Sequence, residues 1–244
     1  MDLTPPPSPE VPAEPAWPPA IPWSPVEAIP IALLALFPIV LVGLFVRVGD
    51  TGALALGLAF EFLLATTSVL WVRARHPSSR GVLRLRSGRT WRDLGSGALG
   101  GVGLFGVTFV VLVPLYIELL TLINGAPVTL PEQPVLPLQP TAFQVSLGAV
   151  VALVAAPIAE EVFFRGFFFT ALRARSRFFP AAGISAGVFA LFHVTPLHMP
   201  VFFFVGLGLA YVYERRRSLA ASIAAHVSFN VIGYALIAMR SLDP

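Results

Sequence analysis

Thr51 to Val72 reads TGALALGLAFEFLLATTSVLWV, a run that carries a single charge, Glu61. A helix needs ~20 apolar residues to cross a hydrocarbon layer of ~30 Å, and this run meets that length. Comparable runs occur from Glu27 to Val46 and from Gly95 to Ile123, and four more follow at about 144–172, 178–194, 199–213 and 218–239. The expected fold is all-α: a polytopic transmembrane bundle of about seven spanning helices. Composition agrees, with 56% of the 244 residues hydrophobic and 12% charged, about half the charged share of an ordinary soluble domain.

Outside these runs the chain divides by composition. Residues 1–26 are Pro-rich and carry Asp2, Glu10 and Glu14 but no Arg, so they lack the basic start of a secretory signal. They read as a disordered, polyproline-like tail. Residues 27–143 hold three helices and an Arg-rich loop over 73–94; residues 144–239 form a core of four helices. The spacing of Gly97 and Gly101 permits a close helix approach, although Gly is common in membrane helices in any case.

Every one of the 16 basic residues is Arg. Arg73, Arg75, Arg80, Arg84, Arg86, Arg89 and Arg92 lie in the second loop, Arg173, Arg175 and Arg177 in the fourth, and Arg215, Arg216 and Arg217 in the sixth. The third and fifth loops have none. Cytoplasmic loops collect Arg, so seven helices place the N-terminus in the cytoplasm and the C-terminus outside. Arg47 and Arg240 are single exceptions. The pI of 9.9 follows from this loop placement and implies no nucleic-acid partner. The absence of cysteine excludes disulfides, thiolate metal sites and a cysteine nucleophile.

Ionisable groups inside spanning helices cost ~2.5–3.5 kcal/mol each on insertion scales, so each needs a partner or a function. The fourth helix carries Glu160, Glu161 and Arg165, the fifth His193, the seventh His226 and Asn230. Glu161 and Arg165 are one turn apart and can pair. Glu160 is rotated from Glu161 by about 100° and is the carboxylate left for chemistry. His226 and Asn230, also one turn apart, set an imidazole and an amide on one face. Counting ~1.5 Å per residue from the Arg-marked edge puts Glu160, His193, His226 and Asn230 roughly 13–24 Å into the bilayer. Hydrolysis by an activated water fits: Glu160 takes its proton, His193 orients it, and His226 with Asn230 holds the developing oxyanion. Polar glue between helices is the alternative for any single one of these residues.

Glu160-Glu161-Val162-Phe163-Phe164-Arg165, Phe189-Ala190-Leu191-Phe192-His193 and His226-Val227-Ser228-Phe229-Asn230 form the series EExxxR, FxxxH and HxxxN. In that order, over about residues 144–238, they resemble the CPBP family of intramembrane proteases, relatives of the Rce1-type CAAX prenyl endopeptidases. The resemblance implies a membrane endopeptidase with Glu160 as general base, His193 on the water and His226 with Asn230 at the oxyanion, while Glu161, Arg165 and Phe189 shape the pocket. The expected setting is a multi-pass integral membrane protein of a bacterial cell membrane, as the lean architecture suggests, acting on a membrane-associated peptide or protein. Family members tied to immunity or scaffolding make a non-catalytic role the alternative.

No cofactor is favoured. Glu160, His193 and His226 would make a His2Glu set with an open position, as catalytic zinc sites have, so zinc is the alternative. There is, however, no H-E-x-x-H. Gly183-Ile184-Ser185-Ala186-Gly187 matches G-x-S-x-G, but it falls inside an apolar helical run where the strand-to-helix elbow of that motif has no place. A transporter is disfavoured because the polar residues gather in one half, without a matching pair of broken helices in the other.

Overall fold

The computed structural model describes residues 17–45, 49–79, 90–131, 136–137 and 139–242, and among them every regular element is helical. Seven long helices run in order: α1 (Ala28–Phe45), α2 (Asp50–Arg75), α3 (Thr90–Asn124), α4 (Ala142–Arg173), α5 (Phe178–Phe192), α6 (Met199–Arg216) and α7 (Leu219–Leu242). Six of the seven are long and apolar enough to cross a bilayer. The protein is thus an integral membrane protein. α5 is the short one: its 15 residues rise ~22 Å, less than the ~30 Å of the hydrocarbon core. A helix of that length that starts at the Arg-bearing rim ends inside the bilayer, which keeps His193, at its C-terminus, below the far surface.

The Arg-bearing ends form one rim. Arg216 Nη2 meets Asp93 Oδ1 at 2.9 Å, and Arg173 Nη2 meets Glu214 Oε1 at 2.9 Å, tying the start of α3 and the ends of α4 and α6 together. Arg47, Arg80, Arg84, Arg86 and Arg89 lie outside the described residues, as do 1–16 and part of the loop before α4.

The Pro-rich segment reads as a tail up to residue 26, yet from Trp17 onward it is docked on the rim. Trp23 is 0% exposed, stacks on Phe167 at 5.3 Å and donates its indole N–H to the Phe167 carbonyl at 3.2 Å. Trp17 meets Tyr213 edge-on. Ser24 and Glu27 form a capping box at the start of the helical turn Pro25–Glu27 that leads into α1. Glu27 Oε2 also accepts from Trp71 Nε1 at 2.8 Å and lies 2.9 Å from His76 Nε2, fastening this segment to the end of α2. Proline density alone suggested disorder; two tryptophans supply the apolar area that pays for ordering it.

α4 is the central helix and is not uniformly α. Its stretches Val151–Ala155 and Glu161–Phe169 are π-helical, as is Val107–Leu112 in α3. Pro114 and Pro157 each lie two residues past such a stretch, where a missing N–H and a ring clash displace the ladder. π-Turns leave carbonyls off register, and side chains meet them here: Asn230 donates to Ala152 O at 2.8 Å and Thr170 to Arg165 O at 2.7 Å.

α3 and α7 touch backbone to backbone. A Cβ at Gly97 would fall 2.1 Å from the Ala221 carbonyl oxygen, and one at Gly101 would fall 2.0 Å from that of Ala225. The close approach that this glycine spacing permits is present, with α7 as the partner helix.

Candidate active site

α7 presents Ser222, His226, Asn230 and Tyr234 at intervals of four, a polar stripe along one face. Each of them reaches α4. Tyr234 donates to Val145 O at 2.5 Å, Asn230 to Ala152 O, and Ser222 and His226 both reach Glu161.

Glu161 is fully buried and fully met. Oε1 accepts from Arg165 Nη1 at 2.8 Å and lies 3.0 Å from His226 Nδ1, while Oε2 accepts from the Ser222 hydroxyl. Arg165, equally buried, also donates to the Gly206 carbonyl at 3.0 Å and lies over the Phe189 ring at 4.8 Å. The expected Glu161–Arg165 pair is present, and Ser222 and His226 complete it. Because the carboxylate accepts from Nδ1–H, the other imidazole nitrogen, Nε2, is the one free for chemistry.

That nitrogen faces Glu160. His226 Nε2 lies 3.9 Å from Glu160 Oε2, too long for a direct hydrogen bond and within the span of one bridging water. Glu160 Oε2 is buried and has no hydrogen-bond partner among the described protein groups. The adjacent carboxylates therefore occupy opposite situations.

His193 closes the C-terminus of α5. Its Nδ1 lies 2.9 Å from the Phe189 carbonyl, which can only accept, so Nδ1 carries the proton and Nε2 holds the lone pair. The ring stacks on Phe202 with centroids 3.8 Å apart. Phe189 links the parts: its ring centroid is 4.7 Å from that of His193 and 6.1 Å from that of His226. Asn230 is one turn past His226, with its amide on Ala152 O. Among the described residues no three His, Cys, Asp or Glu side chains gather closely enough to hold a metal ion. Glu160, His193 and His226 thus do not assemble as a His2Glu set, and no step below is routed through zinc.

Ser185 is buried within α5, with helix on both sides, so no nucleophile elbow exists there. Glu61 reads from the sequence as isolated in α2; it is buried on that helix, which packs along α4, and its Oε2 has no hydrogen-bond partner among the described residues. Nothing in its own neighbourhood of sequence pointed to that burial. Ser222 and Tyr234 did have a signal, the four-residue interval they share with His226 and Asn230.

Residues 142–232 match the family described as type II CAAX prenyl endopeptidase Rce1-like, a segment that runs from the start of α4 into α7. The candidate membrane peptidase YdiL of Bacillus subtilis (strain 168) is 30% identical over 100 residues, which are 41% of this chain and 39% of that protein. The match thus spans about two-fifths of the relative's length. No solved structure matches the chain.

Proposed function

From the premise that residues 142–232 are Rce1-like, we propose that this membrane protein is an endopeptidase that hydrolyses a peptide bond of a membrane-associated protein or peptide with a water activated by Glu160. The observation that carries the reading is the unpartnered, buried Oε2 of Glu160 beside an imidazole whose other nitrogen is pinned by Glu161. An orphaned carboxylate costs stability, and such a cost persists where chemistry uses it.

In this mechanism Glu160 removes a proton from a water whose oxygen bonds to the scissile carbonyl carbon. The His193 Nε2 lone pair accepts the water's other hydrogen and orients it. The carbonyl oxygen gains charge and is met by His226 Nε2, protonated for this step, and by the second hydrogen of the Asn230 amide. Glu160 then passes its proton to the leaving amine as the C–N bond breaks. Phe189 and Arg165 hold the imidazoles and exclude water around them. The Arg distribution supports an orientation with the N-terminus in the cytoplasm, and the bacterial relative supports a bacterial cell membrane.

The test compares peptide termini in membranes of cells expressing the wild-type chain or Glu160→Gln at equal levels. Termini that appear with wild type alone are the expected result and identify the substrate. Identical termini in both would leave binding or immunity as the account of the site.

A further inference from the structure

Residues 17–27 take no part in the mechanism above, yet they cross the Arg-bearing end of α4 and are held on both sides of it. On one side Trp17 meets Tyr213 of α6 with ring centroids 5.5 Å apart. On the other, Glu27 accepts from Trp71 Nε1 at 2.8 Å near the end of α2. Between these anchors Trp23 lies fully buried on Phe167, the two rings 7° from parallel, and donates its indole N–H to the Phe167 carbonyl at 3.2 Å.

Phe167 belongs to the π-helical stretch Glu161–Phe169, close to where Thr170 resumes the α ladder. The same carbonyl accepts from the Thr170 backbone N–H. The Thr170 hydroxyl, 3.3 Å from Tyr213 Oη, donates in turn to Arg165 O at 2.7 Å. Both indoles therefore bear on the bonds that end the stretch: Trp23 directly, Trp17 through the ring of Tyr213. Glu161 begins the stretch and Arg165 lies inside it.

A long π stretch is rare, because its i→i+5 bonds fit more residues to a turn than the helix prefers, so contacts from outside have to favour it. Slipping by one residue would turn one end of α4 against the other by ~100°. Glu161 would then leave Ser222 and His226, which it meets on α7, and Glu160 would leave His226 Nε2, which lies 3.9 Å away. Arg165, Thr170 and Tyr213 hold the stretch from within the bundle. Trp23 brings it a donor from a segment that precedes the first spanning helix.

We propose that Trp23 is a positioning residue for the active site: the strap of residues 17–27 locks the π register of Glu161–Phe169 from the Arg-bearing rim. That register keeps Glu161 on the Nδ1–H of His226 and Glu160 facing Nε2. The proposal rests on the endopeptidase reading for its effect on cleavage, and on the contacts alone for the register.

The test uses the full chain in nanodiscs, as wild type, Trp23→Phe, Trp23→Ala, Arg216→Gln and Glu160→Gln. Trp23→Phe keeps an aromatic ring on Phe167 and removes the donor. Arg216→Gln loosens the rim at Asp93 and is the control for general destabilisation. Nitrogen NMR of isotope-labelled histidines at alkaline pH reads the tautomer independently of activity. His226 should be Nδ1–H in wild type and Arg216→Gln, and should turn over to Nε2–H in Trp23→Phe, and more fully in Trp23→Ala, as Glu161 turns away. With a peptide carrying the sequence cleaved only by wild type, kcat should fall ~5-fold in Trp23→Phe, the share of one net hydrogen bond, and further in Trp23→Ala. KM should not change, because the register moves the reacting groups and not the surface that receives the peptide. If Trp23→Ala does not fold, Trp23→Phe decides. A wild-type tautomer or a wild-type kcat in Trp23→Phe, or the same losses in Arg216→Gln, would overturn the proposal. Equal cleavage by wild type and Glu160→Gln would instead sink the endopeptidase reading, and the tautomer would still decide whether Trp23 sets the register.

Discussion

Glu160 and Glu161 are neighbours in α4, and the spaces on their two sides differ in one respect that decides their roles. On the Glu161 side, Arg165, Ser222 and His226 satisfy the carboxylate from three directions, and the Gly206 carbonyl takes up Arg165. On the Glu160 side a buried oxygen has no protein partner, and an imidazole nitrogen waits 3.9 Å away. A buried carboxylate met on both oxygens holds helices in one arrangement, whereas one with an open oxygen leaves room for water. Of these two adjacent carboxylates, the one that is fully met holds the helices, and the one with an unpartnered oxygen is the one open to a water.

The sharpest way to break the contrast is to remove each carboxylate in turn. Glu160→Gln should lower cleavage by ~10²–10⁴-fold, the usual share of a general base, with the melting temperature of the solubilised protein unchanged. If Glu160→Gln melted early, the pocket would be structural after all. Arg165→Met should do the reverse, since it strands Glu161: a loss of ~3–5 kcal/mol, read as an early melt together with loss of cleavage.

Smaller effects sharpen the boundary between the two spaces. Gly101→Leu forces α7 off α3 and should cost at the upper end of the ~1–3 kcal/mol of overpacking; Gly43→Ala, with nothing within 4 Å of its added carbon, serves as the neutral control. Ser222→Ala removes one of three donors to Glu161 and should cost ~1 kcal/mol, measured by the same melt. Ser185→Ala should leave both cleavage and melting where they are, because its hydroxyl is buried without a partner inside α5. Loss of cleavage there would reopen a serine mechanism.

Much of this was readable from residues alone, because a bilayer imposes length and a helix imposes interval. Hydrophobic runs located the helices to within a few residues, the spacing of Gly97 and Gly101 allowed a close helix approach without naming α7 as its partner, and Glu161 with Arg165 announced their pairing. What stayed hidden depends on tertiary placement or on departures from the α ladder. The π-helical turns of α4 offer the carbonyls that occupy Asn230 and Thr170, and no interval of 3.6 predicts them. The burial of Glu61 on α2, which lies along α4, is likewise not announced by its own stretch of sequence. Trp17 and Trp23 were masked by the prolines around them, although a tail has no need of two indoles.

The place of α7 in chain order has a consequence for biogenesis. It leaves the ribosome after the six helices that precede it, and it carries the imidazole that Glu160 faces and two of the three donors to Glu161. A nascent chain inserted as far as α6 holds Glu160 and Glu161 without the α7 side chains that meet or face them. The strip of bare backbone at Gly97 and Gly101 is the berth that receives α7. On the endopeptidase reading, a chain in which α7 has yet to dock lacks the imidazole and amide assigned to the oxyanion.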